Sequence, residues 1–409
     1  PYLATVPAKN RCAFPSMVSM QKGSLEYRRA TWAMLAFGLA IFNALYATQA
    51  LLPTLTTELA VSPSTAALTV SAATGALALC VVPASILSEK YGRGRVLVVS
   101  ALGATALGLA LPLAQTAGQL IALRAVQGAL IAGTPAVAMT WLSEELDSRD
   151  LPGAMGLYIA GNSIGGLSGR LIPAGLLEVT SWRWAMFGSA LVAFTLAALA
   201  AWALPQQRNF VPKASIRPSV EVGAMLGHLR NPRLVGLYAT AFIAMGVFVS
   251  MYNFFGFRAV LDYGLPAALS GLVYVVYLSG TWSSARAGAL SRRYGRGVVV
   301  LAAALLMLAG AIAVSAPSLW IALAGLLVFT ASFFALHSTA SGWVGLIAER
   351  DRAEASSMYV FCYYMGSSIL GAVTGWAYEG LPWAGFVAVL AVMLGVLAVV
   401  SAALWRGAR

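Results

Sequence analysis

Long apolar runs, repeated along nearly the whole chain and separated by short polar gaps, constrain this sequence more than any other feature. A helix needs about 20 apolar residues to cross a hydrocarbon core of about 30 Å. Spans of that kind are read at 30–52, 64–87, 96–114, 118–141, 153–178 and 183–204, then at 232–255, 267–290, 297–315, 317–342, 354–376 and 383–405. Residues 115–118 and 316–318 leave room for no more than tight turns. Hydrophobic residues fill 60% of the 409 positions and charged residues 10%, against about 25% charged in soluble domains. So much apolar surface has to face lipid. The expected fold is an all-α membrane protein of twelve transmembrane helices.

The net charge of +12 could suggest a nucleic-acid partner, but the basic residues form no patch. They fall in the gaps. Lys22, Arg28 and Arg29 precede the first span; Lys90, Arg93 and Arg95 follow the second; Arg149 follows the fourth. Arg208, Lys213, Arg217, Arg230 and Arg233 lie between the sixth and seventh. Arg286, Arg292, Arg293 and Arg296 surround the end of the eighth, Arg350 and Arg352 follow the tenth, and Arg406 and Arg409 end the chain. With alternating spans all of these share one side, and Arg183 and Arg258 fall on the other. Cytoplasmic loops are enriched in Lys and Arg, so both termini are expected in the cytoplasm of a bacterial-type inner membrane. The sequence opens on Pro1, and Met17 or Met20 is the expected start. No short apolar core with a small-residue cleavage site precedes Leu35, so no cleaved signal is expected. Cys12, Cys80 and Cys362 lie far apart and suggest neither a disulfide framework nor a metal site.

The chain repeats itself. Tyr91-Gly92-Arg93-Gly94 recurs as Tyr294-Gly295-Arg296-Gly297, each copy closing a second helix and opening a third. The fourth helix of each half ends in acids: Glu144, Glu145 and Asp147, then Glu349, Asp351 and Glu354. Glu178 and Glu379 occupy similar places at the opposite side. The expected organisation is a tail (1–29), a six-helix bundle (30–204), a linker (205–231), a second six-helix bundle (232–405) and a short tail (406–409). Parallel halves of this kind hold a substrate site between them near mid-membrane.

The loop from Ser85 to Arg95 resembles the signature between helices two and three of the major facilitator superfamily. Ser85, Glu89 and Lys90 stand where that signature has Gly, Asp and Arg, and Gly92, Arg93 and Arg95 match it. A weaker copy runs from Gly288 to Arg296, with Arg292 at the acidic position. Arg124-Ala125-Val126-Gln127-Gly128 is similar to the Arg-x-x-Gln-Gly motif linked in that family to proton coupling. The segment Gly161-Asn162-Ser163-Ile164-Gly165-Gly166 is similar to its antiporter motif, with Asn162 in place of Pro. Leu45 to Pro53 and Gly165 to Arg170 look like the YnfM-type (acriflavine-sensitivity) branch, whose members are described as arabinose or drug efflux permeases.

The resemblance implies efflux of a small organic solute by alternating access, in exchange for protons. Uptake by proton symport, or a non-transporting receptor on the same scaffold, is the alternative. It also implies that helices one, four, seven and ten line the pathway. The expected cavity residues are Asn43, Tyr46, Gln49, Arg124, Gln127, Tyr252, Asn253, Phe334, His337 and Tyr363. The expected conformational residues are Ser85, Glu89, Lys90, Gly92, Arg93, Arg95, Gly161, Asn162, Gly165 and Gly166, with Gly288, Arg292, Gly295 and Arg296 in the second half. Arg124, Glu58, Glu178, His337 and Glu379 are candidates for proton coupling. Arg124 has a structural alternative, bonding to carbonyls of neighbouring helices, and Arg170 could clamp Glu178 or loop carbonyls.

All fourteen acids lie in loops or near helix ends. A cationic solute would want a buried carboxylate, so a neutral or anionic solute is expected. No nucleotide loop, zinc-protease helix or paired intramembrane carboxylate is present. The chain is therefore expected to be no enzyme, to need no cofactor or metal, and to work as a monomer with its solute, protons and lipid as partners.

Overall fold

In a computed structural model, residues 19–210, 212 and 218–407 are described. Met17, Cys12, Lys213, Arg217 and Arg409 lie outside the described residues. Twelve helices cross the bundle: α1 (Leu25–Tyr46), α2 (Pro63–Tyr91), α3 (Arg93–Ala110), α4 (Ala117–Ile131, running on as Gly133–Glu145), α5 (Leu151–Leu176) and α6 (Trp182–Ala203). After a linker helix, Pro218–Gly227, come α7 (Pro232–Leu261), α8 (Tyr277–Tyr294), α9 (Arg296–Ala313), α10 (Leu319–Ile347), α11 (Arg352–Gly380) and α12 (Trp383–Gly407). Among the described residues the β structure is one isolated bridge, Met20 to Leu146. The side carrying the arginine-rich loops is called here the basic side, and the opposite one the far side.

Local chemistry sets many ends. Ser24, Ser62 and Thr116 cap α1, α2 and α4 by accepting from backbone N–H groups of the first turn, which satisfies donors that a helix start leaves unpaired. Gly92 and Gly295 join α2 to α3 and α8 to α9 at φ +99° and +86°, a region closed to most side chains. The repeated Tyr-Gly-Arg-Gly segment is thus a repeated turn.

Among the described residues, nine of the twelve helices are long and apolar enough to cross a membrane by composition, and α5, α8 and α11 are the other three. α5 carries a glycine stripe and Arg170, α8 carries Arg286, Arg292 and Arg293, and α11 is rich in serine and tyrosine. α5 packs heavily on α1, and α11 on both α7 and α2, while α8 lays one face on α10 and leaves most of its residues exposed. A protein-facing helix can spend residues on close packing and polar contact that a lipid-facing one cannot.

Two expected boundaries differ. The first span was expected to run unbroken to residue 52, but α1 stops at Tyr46 and a 3₁₀ turn, Gln49–Leu51, leads into a short helix, Leu52–Glu58. Pro53 has no N–H to return to the Gln49 carbonyl, which instead accepts from the Tyr274 hydroxyl at 3.4 Å. The eighth span was expected as one helix over 267–290. It opens instead as Ala267–Ser270, continues as a 3₁₀ stretch, Gly271–Val276, and becomes α8 at Tyr277. Residues three apart eclipse in 3₁₀ geometry, so Tyr274 and Tyr277 project to the same side.

The most extensive packing joins α1 to α5 in the first half and α7 to α11 in the second. One large apolar core fills the first half. A second fills the second half and continues at the far side into Ala50, Leu52, Ala66, Ala67, Val70 and Ala174 of the first, and a small third one gathers Leu51, Leu55, Leu111, Leu120 and Trp182.

Candidate functional site

Hydrogen bonds that bridge the halves gather toward the far side. The break in α1 turns Gln49 toward α7, where its Nε2 donates to Asn253 Oδ1 at 2.7 Å. Gln49 Oε1 accepts from Arg170 Nε of α5 at 2.7 Å. Arg170 also donates to the Gly166 carbonyl at 2.6 Å and to the Tyr277 hydroxyl at 3.0 Å. Nearer the far-side rim, Glu379 at the end of α11 accepts from the Ser64 N–H at the start of α2, at 2.8 Å. Ser368 of α11 donates to the Ser71 carbonyl of α2, at 2.8 Å. Ser64 and Ser71 stand against Gly375 and Gly371 of α11, and a side chain at Gly375 would run into Ser64. We call this set the seal.

The second half contributes an aromatic wall. Phe248 and Phe333 stack at 3.9 Å between centroids, and Phe334 meets both edge-on. Tyr252 stacks on Tyr274 and bonds Thr330 at 2.6 Å. His337 is half-buried, 3.1 Å from the Tyr359 hydroxyl through Nδ1 and 4.6 Å from the Tyr363 ring. Tyr252, Asn253, Phe334, His337 and Tyr363 thus come together with Tyr46 and Gln49 around the junction of the halves.

Asn43, Arg124 and Gln127 do not join that group. Arg124 is fully buried and donates to the carbonyls of Thr69 (3.0 Å), Ala44 (2.8 Å) and Leu45, and to Gln127 Oε1. Gln127 Nε2 donates to the Ala104 carbonyl at 2.9 Å. Asn43 bonds Ser168 and Ser189. All these partners belong to the first half. These three side chains bond within the first half, where Asn43 and Gln127 line a small cavity, and the carbonyls that α1 frees where it breaks are claimed by Arg124.

On the basic side, Arg93 Nε bonds Glu144 at 2.8 Å, and Arg93 Nη1 bonds Ser88 at 2.7 Å. Gln207 links the Gly94 N–H to Glu144, and Glu145 receives the N–H groups of Arg208 and Asn209. The signature is therefore tied to its own half and the start of the linker. Glu89 lies 4.0 Å from Arg93, Ser85 is half-buried, and Lys90 and Arg95 are exposed, as are Gly288, Arg292, Gly295 and Arg296 of the second copy. Gly161 and Gly165 face the Leu35 and Leu39 carbonyls of α1, Gly166 lies beside Arg170 and Tyr46, and Asn162 packs on Gly38. Glu58 and Glu178 are exposed. Arg170 bonds across the seal rather than to Glu178.

The sequence reading missed Tyr274, Tyr277, Ser64 and Ser368. The one available signal was the pair of tyrosines three apart beside Gly271.

Partial burial pushes the Glu379 carboxyl up, but bonds from the Ser64 side chain, the Ser64 N–H and the Ser62 hydroxyl outweigh it and hold the carboxyl below its ordinary value. Other titratable groups on the packed elements are Glu58, Tyr378, Tyr263 and the Arg258–Asp262 pair. A carboxyl depressed in the closed form stabilises that form above its open-form value and ceases to do so as pH falls through the lowered one. Spin labels at the far-side ends of α2 and α11 should therefore hold their distance down to about pH 4.5 and move apart only below it, as pH falls through the lowered value. Glu379→Gln should flatten the response. A wild-type distance that ignores pH would refute the latch.

A multi-pass helical bundle whose halves meet through separable polar contacts has the build of a membrane transporter. The Major Facilitator Superfamily model matches residues 33–286. The chain is 39% identical over 390 residues to the inner membrane transport protein YnfM of Escherichia coli (strain K12), covering 95% of this chain and 93% of that one. It is 34% identical over 394 residues to the MFS-type transporter YybF of Bacillus subtilis (strain 168), covering 96% and 97%. The crystal structure of the nucleoside transporter NupG superposes with a TM-score of 0.77 at 14% identity, covering 93% of this chain and 100% of NupG; that likeness concerns the fold. The chain belongs to the major facilitator superfamily and is a secondary transporter, not an enzyme.

Proposed function

We propose that this transporter exports a small neutral or anionic organic solute by alternating access, in exchange for protons. The halves 30–204 and 232–405 move against each other about the linker 205–231. The basic side faces the cytoplasm of a bacterial inner membrane, so the far-side seal closes the pathway to the outside. The observation that carries this reading is the nature of the seal. Its bonds across the halves each involve a side chain, Gln49 to Asn253, Arg170 to Tyr277, Glu379 to the Ser64 N–H and Ser368 to the Ser71 carbonyl, which can part and re-form. The pathway lies between halves of one chain, so a monomer suffices.

Among the coupling candidates, Glu379 is favoured because its carboxylate bridges the halves. His337 is the other group at the junction. Arg124 would act indirectly, through the α1 break that positions Gln49. Glu58 and Glu178 are exposed, as Glu379 is, but no bond of theirs bridges the halves among the described residues.

The test is solute movement in everted vesicles or proteoliposomes, with and without an imposed proton gradient. The panel holds a cationic dye, a neutral antibiotic, a sugar and an organic anion. Gradient-driven export of the neutral or anionic solutes, with the dye left behind, is the expected result. Movement of the dye alone would overturn the charge argument. Binding without movement of any solute would favour a receptor.

A further inference from the structure

We propose that Arg170 is an anion-binding residue of this transporter, holding the carboxylate of a small aromatic acid in the form whose seal is open to the outside, the release side of an export cycle. This inference rests on the alternating-access reading above.

Arg170 is 2% exposed in the middle of a membrane protein, where an uncompensated charge is costly. Its hydrogen-bond partners, Gln49, Gly166 and Tyr277, are all neutral, and among the described residues no ion pair holds it. In place of a counter-charge it has π faces. The guanidinium carbon lies 3.9 Å from the centroid of Tyr46, 4.4 Å from Tyr277 and 5.2 Å from Tyr274. Aromatic faces attract a cation but replace an anion weakly.

The other buried arginines show what a purely structural solution looks like. Arg124 spends its fork on carbonyls of its own half. Arg258 has Asp262 at 3.6 Å and the carbonyls of Ser315 and Ala316. Arg170 differs because its surroundings come from both halves. Gln49, Gly166 and Tyr46 belong to the first, and Tyr274 and Tyr277 to the second. Parting the halves removes the Tyr277 hydroxyl and two of the three rings together. The guanidinium then faces the opened pathway with a donor released and no counter-charge. A planar carboxylate matches the fork of a guanidinium, and Tyr46 remains to stack on an aromatic body. Tyr277 is thus a stand-in acceptor that the ligand displaces.

The experiment measures binding to purified protein by thermal shift and calorimetric titration. The ligands are 4-hydroxybenzoate, its neutral isostere 4-hydroxybenzamide, and chloride. Wild type should bind the acid over the amide by roughly tenfold or more, the scale of a charge-assisted pair. Arg170→Gln should lose that preference, and Arg170→Lys should keep part of it. Tyr277→Phe removes the competing hydroxyl and keeps the charge, so the acid should bind at least as tightly as to wild type; this variant serves if Arg170→Gln does not fold. Equal binding of acid and amide, no binding of the acid to wild type, or weaker binding to Tyr277→Phe would overturn the proposal, and binding of chloride alone would reduce the site to a halide site. The transport reading fails separately: labelling of single cysteines introduced at the far-side ends of α2 and α11 would then be the same under every gradient, whatever Arg170 binds.

Discussion

Gly165→Leu is expected to lower the thermal stability of the purified protein sharply and to abolish transport. Gly161, Gly165 and Gly169 lie four apart on one face of α5. Each meets a backbone carbonyl of α1, from Leu35, Leu39 and Asn43 in turn. A Cβ on Gly165 would stand 2.5 Å from the Leu39 carbonyl oxygen, so the helices would have to part. Overpacking of this kind costs about 1–3 kcal/mol for a small intrusion, and a leucine intrudes further. The effect on transport should exceed the effect on folding. α1 carries Gln49 and α5 carries Arg170, whose bond is 2.7 Å long, so spreading the helices also pulls the seal apart. Gly156→Ala and Gly175→Ala, on the same helix with open space around them, are the controls and should melt like wild type. If Gly165→Leu melts with them, the close contact between α1 and α5 is not what holds the first half together.

The same stripe shows what a sequence can disclose. The spacing of Gly161, Gly165 and Gly169 announces a close helix contact, because the signal lies within one helix. The Tyr-Gly-Arg-Gly turns are legible for a similar reason: Gly92 and Gly295 meet a local demand for positive φ. Spans were readable from hydropathy, and even α5, α8 and α11 could be counted, although they are less apolar than the other nine among the described residues. Pairings across the chain were out of reach. Ser64 and Glu379 are 315 residues apart, and Arg124 meets carbonyls 55 and 80 residues away. A carbonyl leaves no trace in side-chain identity, so the sequence could suggest carbonyl partners for Arg124 but not name those of Thr69, Ala44 and Leu45. The 3₁₀ entry to α8 was hidden too, since its evident partners, Ala174 against Gly271 and Arg170 against the two tyrosines, belong to the other half.

Arg124→Met should therefore fail mainly as a folding defect. The substitution keeps an apolar stem but removes the donors that serve Thr69, Ala44, Leu45 and Gln127. Each buried acceptor left without a partner costs about 1–3 kcal/mol. Several together approach the whole margin of about 5–15 kcal/mol that keeps a domain folded. Arg124→Lys should fall between, because an ammonium is a point charge and cannot reach several carbonyls in a planar fork. Fluorescence-detected size exclusion and thermal unfolding in detergent are the measurements. Arg124→Met is expected to give little monodisperse protein, with a melting point well below that of wild type. The result that would sink this account is a well-folded Arg124→Met with an unchanged melting point and no flux. The carbonyls of α1 would then not need the guanidinium, and Arg124 would have to act in the transport cycle itself, as its Arg-x-x-Gln-Gly context implies. The folded fraction separates the two roles, which a flux assay alone would merge.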